Sequence, residues 1–198
     1  RRSGPQEDLP RFLRILERVC QTIACAHTRR VIHRDLKPLN VMVGVHGEVL
    51  VMDWGLSKRL SPLKSIDALA AKRFPATSDD ETPTETDASG DRTRTGSVLG
   101  TPAYLPPEQA QGHADTCDER GDVFGLGAIL CEILTGKPPY WDADQQVVLA
   151  EAMNADLGPA HERLTRCGAN RELVALASRC LSPNRDDRPA NASAVARP

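Results

Sequence analysis

Two short stretches carry the residue types that do chemistry. His33-Arg34-Asp35-Leu36-Lys37-Pro38-Leu39-Asn40 sets a carboxylate, an amine and an amide close together, and Asp53-Trp54-Gly55 adds a second carboxylate soon after. A carboxylate beside a hydroxyl can take its proton, a lysine can meet an anion, and carboxylate and amide oxygens suit a hard divalent cation. Each residue also has an ordinary use. A single Asp in a loop is commonly a turn former or a helix cap, and Asp-Trp-Gly alone carries little weight.

The elements around these stretches must hold them in place. Leu9, Phe12, Leu13, Leu16, Val19, Cys20, Ile23 and His27 recur at helical spacing with Arg11, Arg14, Glu17 and Arg18 between them, which predicts a long amphipathic helix. Val41–Val43 and Val49–Met52, joined by Gly44-Val45-His46-Gly47, predict a small hairpin between His33 and Asp53. From Ser61 to about Arg94 the chain turns to Ser, Thr, Asp, Glu, Pro and Ala, with the acidic run Asp79-Asp80-Glu81, and reads as a disordered insertion. Asp122 to Thr135 is apolar nearly all round and ends at Gly136, so it predicts a buried core helix. Two more helical patterns follow, roughly 143–154 and 171–181, the second with Asn170 as its N-cap.

Composition narrows the function classes. A chain of 198 residues, 40% hydrophobic and 26% charged, can bury one real core. Its net charge of −2 supplies no basic field of the kind that holds nucleic acid, so no nucleic-acid partner is expected. The longest apolar stretch, Val123 to Cys131, falls far short of the ~20 residues that cross a bilayer, so no membrane segment is expected in this chain. Six cysteines without a C-x-x-C pair support neither zinc nor a disulfide framework and fit a reducing cytoplasm, with membrane tethering of a longer protein left open. Arg1 stands where a start Met would be and no signal-peptide pattern follows, so the chain is expected to be part of something longer.

The order and separation of the motifs resemble the protein kinase family. His33 to Asn40 resembles its catalytic loop, and Asp53-Trp54-Gly55 falls after one hairpin, where the family places its D-F-G. Gly100-Thr101-Pro102-Ala103-Tyr104-Leu105-Pro106-Pro107-Glu108 is similar to the substrate-docking loop ending in A-P-E. Asp122 to Gly127 resembles the start of the central helix, and Asp187-Arg188-Pro189 completes the set. The Tyr104–Gln109 stretch and the Trp54 variant look most like bacterial serine/threonine members.

The resemblance implies MgATP as cofactor and protein Ser/Thr hydroxyls as acceptors. Phosphoryl transfer asks the protein mainly to position reactants and to supply compensating charge. On that footing Asp35 is the expected base, Lys37 contacts the γ-phosphate, and Asp53 with Asn40 holds Mg²⁺. Arg34, Thr93, Thr95 and Thr101 are expected to act through the activation segment. Glu108 and Arg188 are expected to form a buried ion pair, and Asp122 to hold the catalytic-loop backbone. His33 and Trp54 read as packing residues, and His27, His46, His113 and His161 receive no role. Pro106, in place of the family's usual small residue, is a mild departure.

The expected fold is therefore mainly α: a kinase-like C-terminal lobe with one small β-hairpin at the catalytic loop. Only Arg1 to Asp8 precede the first helix, so the N-terminal β lobe with its glycine-rich loop and ATP-contacting lysine is expected to be absent, and the chain alone to be inactive. Residues 1–198 read as one partial kinase domain, with 61–94 an insertion in its activation segment. A pseudokinase or binding scaffold is the competing reading. A small-molecule phosphotransferase is a third, and it lacks the docking loop seen here.

Overall fold

The computed structural model describes residues 7–60 and 101–196. The chain divides into one unit of residues 1–60 with 98–198 and a second of 61–97. The second unit, and with it the expected insertion 61–94 together with Thr93 and Thr95, lies outside the described residues.

Helix α1 runs Leu9–Thr28 and buries Leu16, Val19, Cys20, Ile23 and His27, the stripe its spacing predicts. It packs on α3 (Glu119–Thr135), which is buried from Asp122 through Leu134 apart from Glu132. Asp118 caps α3 four residues ahead of Asp122, where the apolar run begins, its carboxylate accepting from Arg120 N, and Gly136 closes it with φ +78°. No face of α3 is polar because α1 lies on one side and α6 (Arg171–Cys180) on another. Ile23, Val123, Phe124, Leu126, Leu134 and Leu181 are all fully buried there. Each such side chain contributes roughly 1.5–3 kcal/mol through lost contact with water.

Around this axis stand α2 (Pro107–Ala110), α4 (Gln145–Asn154) and α5 (Gly158–Arg166). The N-cap of α6 is Asn170, accepting from Glu172 N at 2.7 Å, as the sequence predicts.

Strands enter before the helices that follow the catalytic loop, and here the expected fold class needs correction. Besides the predicted hairpin of β2 (Val41–Val43) and β3 (Val49–Val51), there is a second antiparallel pair, β1 (Val31–Ile32) with β4 (Lys58–Arg59), registered Val31 to Arg59. The first part of the chain therefore carries two sheets, not the single hairpin expected for a mainly α lobe. These strands have a physical role: Ile32 is fully buried, and β1 leads straight into His33. The catalytic loop is thus tied at both ends, to β4 before it and to β2 after it.

Candidate functional site

Asp35 is buried at 8% exposure in the loop between β1 and β2. Its Oδ2 accepts from Lys37 Nζ at 2.8 Å and from Asn40 Nδ2 at 3.0 Å, and the same Asn40 amide donates to the Asp35 carbonyl at 2.8 Å. Asn40 ends a short 3-10 turn, Pro38–Asn40, which brings its side chain back over Asp35. The other oxygen, Oδ1, takes no hydrogen bond from any described residue. Lys37 supplies charge, Asn40 fixes the rotamer, and one carboxylate oxygen stays open.

The loop is hung from α3 by Asp122. Its Oδ2 accepts the His33 N–H at 2.8 Å and its Oδ1 the Arg34 N–H at 2.8 Å. Arg34 itself sits at φ +68°, a costly backbone for a non-glycine residue. Its carbonyl accepts from Gln109 Nε2 at 2.8 Å, and its Nε donates to Leu56 O at 2.5 Å. On the far side Leu36 presses on Gly125, where any Cβ would come within 2.8 Å of the Leu36 Cβ, so the helix can approach the loop this closely only with glycine there.

Asp53 follows β3 and is the second αL residue of the site, with φ +58°. Its carboxylate is exposed and has no hydrogen bond or ion pair among the described residues. A Cβ at Gly55 would stand 3.3 Å from its Oδ1, so glycine keeps the space beside that oxygen open. Met52 N donates to Asn40 O at 2.8 Å, so Asp53 follows the hairpin at the end where Asn40 precedes it, and carboxylate and amide oxygens of this kind suit a Mg²⁺ ion that keeps phosphate oxygens as its other ligands. Consistent with so sparse a set, the described residues hold no cluster of three or more His, Cys, Asp or Glu.

The His33 ring is held on both sides. Its Nε2 donates to Met52 O at 2.9 Å and its Nδ1 accepts from Asp35 N at 3.3 Å, so both nitrogens are occupied, while Trp54 meets the ring edge-on at 4.6 Å between centroids. Arg188 grips Glu108 with both ends of its fork, at 2.8 and 3.0 Å, fixing the end of the docking loop. Thr101 lines one small cavity together with Arg34 and Asp35. Burial pushes the Tyr104 phenol up, and its hydroxyl donates to Glu132 at 2.7 Å.

Three features escaped the sequence reading. His27 is buried, donating from Nε2 to Asp122 Oδ2 at 2.9 Å and accepting the Ala192 N–H on Nδ1 at 3.3 Å. Its place in the apolar stripe of α1 was the available signal. Gln109 had none. Met42 and Leu50 pair across the hairpin on the face opposite Val41 and Val51, and both are exposed, as is Met52 next to Asp53. A hairpin apolar on both faces was the available signal.

A helical lobe with a carboxylate loop hung from its central helix, a hairpin, a second free carboxylate and a buried Arg–Glu clamp has the build of a kinase catalytic domain. The protein kinase domain family matches residues 9–198, and the chain belongs to that family. It is 40% identical over 129 residues to serine/threonine-protein kinase PknD of Protochlamydia amoebophila, covering 65% of this chain and 12% of that protein. It is 33% identical over 178 residues to serine/threonine-protein kinase PknB of Mycolicibacterium smegmatis, and 30% identical over 178 residues to PknB of Mycobacterium tuberculosis, covering 90% of this chain and 24% of each. The chain thus spans a quarter or less of the length of these relatives.

The family match starts at residue 9 and takes in the strand-bearing stretch Val31–Arg59 ahead of the later helices. It overturns the expectation of a mainly α fragment without an N-terminal β lobe, which rested on where the given sequence starts.

Proposed function

We propose that the protein transfers the γ-phosphoryl group of ATP to serine or threonine hydroxyls of other proteins. The observation that carries this reading is the hold on Asp35: Lys37 and Asn40 both occupy Oδ2 and leave Oδ1 open to a substrate hydroxyl. As the hydroxyl oxygen bonds to phosphorus and the bond to the ADP oxygen breaks, Asp35 takes the hydroxyl proton. Bound MgATP supplies the phosphoryl donor, with Asp53 and Asn40 as oxygen donors to the cation and Lys37 as counter-charge at the γ-phosphate. Met42, Leu50 and Met52 offer an apolar platform for the purine. Lys37 and Thr101 follow the pattern of Ser/Thr-directed members, which supports those acceptors over tyrosine.

Arg34 supports a regulatory role for phosphate on Thr93 or Thr95, because a guanidinium beside the base takes an anion well and such a charge orders a segment. Glu108, Arg188 and Asp122 serve as supports for the docking and catalytic loops. No helix among the described residues is long and apolar enough to cross a membrane.

The test is transfer of labelled phosphate from ATP to a generic protein substrate, followed by phosphoamino-acid analysis. Phosphoserine and phosphothreonine that vanish with Asp35→Asn support the proposal. Predominant phosphotyrosine, or transfer that survives Asp35→Asn, overturns it.

A further inference from the structure

Away from the catalytic loop, α1 and the β2–β3 turn enclose a groove of about 440 Å³ whose chemistry the proposed reaction does not use. Along one wall stand Arg11, Arg14 and Arg18 of α1, and across from them lies the turn Gly44–Gly47 with His46. Ile15, Val43 and Val49 form an apolar floor. All three arginines are exposed, and none makes a side-chain hydrogen bond or ion pair with any described residue.

That arrangement is unfavourable in the free protein, for two reasons. Arg11 lies in the first turn of α1, a turn without any acidic residue, where the helix dipole is positive and repels cations. Arg11 with Arg14, and Arg14 with Arg18, are like-charge pairs at i,i+3 and i,i+4, which also repel. Glu17 accepts from Gln21 at 3.4 Å and Glu48 accepts the His46 N–H at 3.1 Å, while Asp8, the N-cap of α1, makes no side-chain cap bond and no ion pair with Arg11. Local rules broken in this way mark places where a partner supplies the missing charge.

We propose that this groove docks an acidic segment of a partner polypeptide. Arg11 to Arg18 spans seven residues of helix, about 10 Å at ~1.5 Å per residue. An extended peptide covers that length in about three residues, so acidic side chains at alternate positions reach two of the three guanidiniums. The floor takes aliphatic carbons, and the backbone of the turn borders the same groove. Carboxylate and phosphoserine side chains share the required charge. The chain's net charge of −2 disfavours a nucleic acid, which needs a broad basic field and not a single stripe. Strand β2 connects this groove to Asn40 over about 10 Å, so a segment docked here is held close to the phosphoryl-transfer site.

The inference concerns binding and stands apart from the proposed reaction. A fluorescein-labelled ten-residue peptide with glutamate at alternate positions is titrated into the protein by fluorescence polarisation, beside its all-glutamine counterpart and a phosphoserine version. The glutamate and phosphoserine peptides are expected to bind, more weakly as salt rises, and the glutamine peptide at least about tenfold more weakly. Arg11→Gln/Arg14→Gln/Arg18→Gln is expected to weaken the acidic peptides about tenfold without moving the unfolding midpoint, while Arg171→Gln, at an exposed arginine elsewhere, changes nothing. Equal binding by the triple variant, equal binding of the glutamine peptide, or displacement of the peptide by an oligonucleotide of equal charge at lower concentration overturns the proposal.

Discussion

Replacing Arg188 by alanine tests the part of the architecture that carries the docking loop. Its side chain is fully buried and its donors are all committed: two to Glu108, at 2.8 and 3.0 Å, one to Ser182 O at 2.8 Å, and one each to Arg120 O and Pro183 O at 3.2 Å. The guanidinium also lies 4.9 Å above the Phe124 ring. Truncation leaves Glu108, whose side chain is 15% exposed, as a largely buried carboxylate without its counter-charge. Losing one partner of such a pair costs about 3–5 kcal/mol, against ~0–1 kcal/mol for a surface pair. With a urea m-value of about 2 kcal/mol/M for a domain of this size, the midpoint should fall by roughly 1.5–2.5 M. Arg188→Lys keeps the charge but not the fork, and should fall between wild type and alanine. Adding Glu108→Gln to Arg188→Ala should cost less than the sum of the two, because the second change removes the orphaned charge. A midpoint shift below about 0.5 M for Arg188→Ala, or strict additivity with Glu108→Gln, would refute this account.

Asp35→Asn should lower kcat by about 10²- to 10⁴-fold while leaving the thermal midpoint unchanged, measured by steady-state kinetics and circular dichroism, since it removes the base and keeps the shape. Thr93→Ala/Thr95→Ala should lower turnover of the phosphorylated enzyme, with mass spectrometry showing phosphate lost from this segment; unchanged turnover would exclude a switch at these two sites. Burial pushes the thiols of Cys20, Cys117 and Cys180 each up to about 12 from an ordinary value of 9. The folded state therefore holds these protons more tightly than the unfolded chain, so the associated stability is complete below about pH 9 and drains away as pH rises toward 12; Cys20→Ala should flatten that slope in urea titrations run across the window.

The long elements were legible because they are amphipathic or wholly buried over many turns. The stripe of α1 and the nearly all-apolar run of α3 leave one arrangement each, and Gly136 marks the end of α3 and Asn170 the start of α6 as expected. What failed was short or non-local. Strands β1 and β4 have two residues apiece and pair across the whole catalytic region, so no window of sequence contains a periodicity to read. Helix α5 opens on Gly158-Pro159 without a side-chain cap and was not among the helical patterns read from the sequence. The proposed catalytic residues were picked out through motif order, but the reason Asp35 keeps one free oxygen is a matter of side-chain placement that spacing does not encode. His27 was visible as a periodic position and was left without an assigned role, since a histidine on an apolar stripe gives no sign of the carboxylate opposite it.

That carboxylate shows how the site is held. Asp122 never meets a substrate in the proposed reaction, yet it accepts three hydrogen bonds while only 2% exposed, from the backbone of His33 and Arg34 and from His27. Two backbone donors on adjacent residues fix the direction of the chain as it enters Asp35, which a single bond would leave free to swivel. The acceptance of the Ala192 N–H by His27 Nδ1 requires the ring to carry its proton on Nε2, the nitrogen that faces Asp122. The tautomer that serves the C-terminal turn is therefore the one that serves the catalytic loop. Because α3 is buried along its length, Asp122 cannot move without disturbing the core, and the geometry at Asp35 inherits the rigidity of the helix from which it hangs.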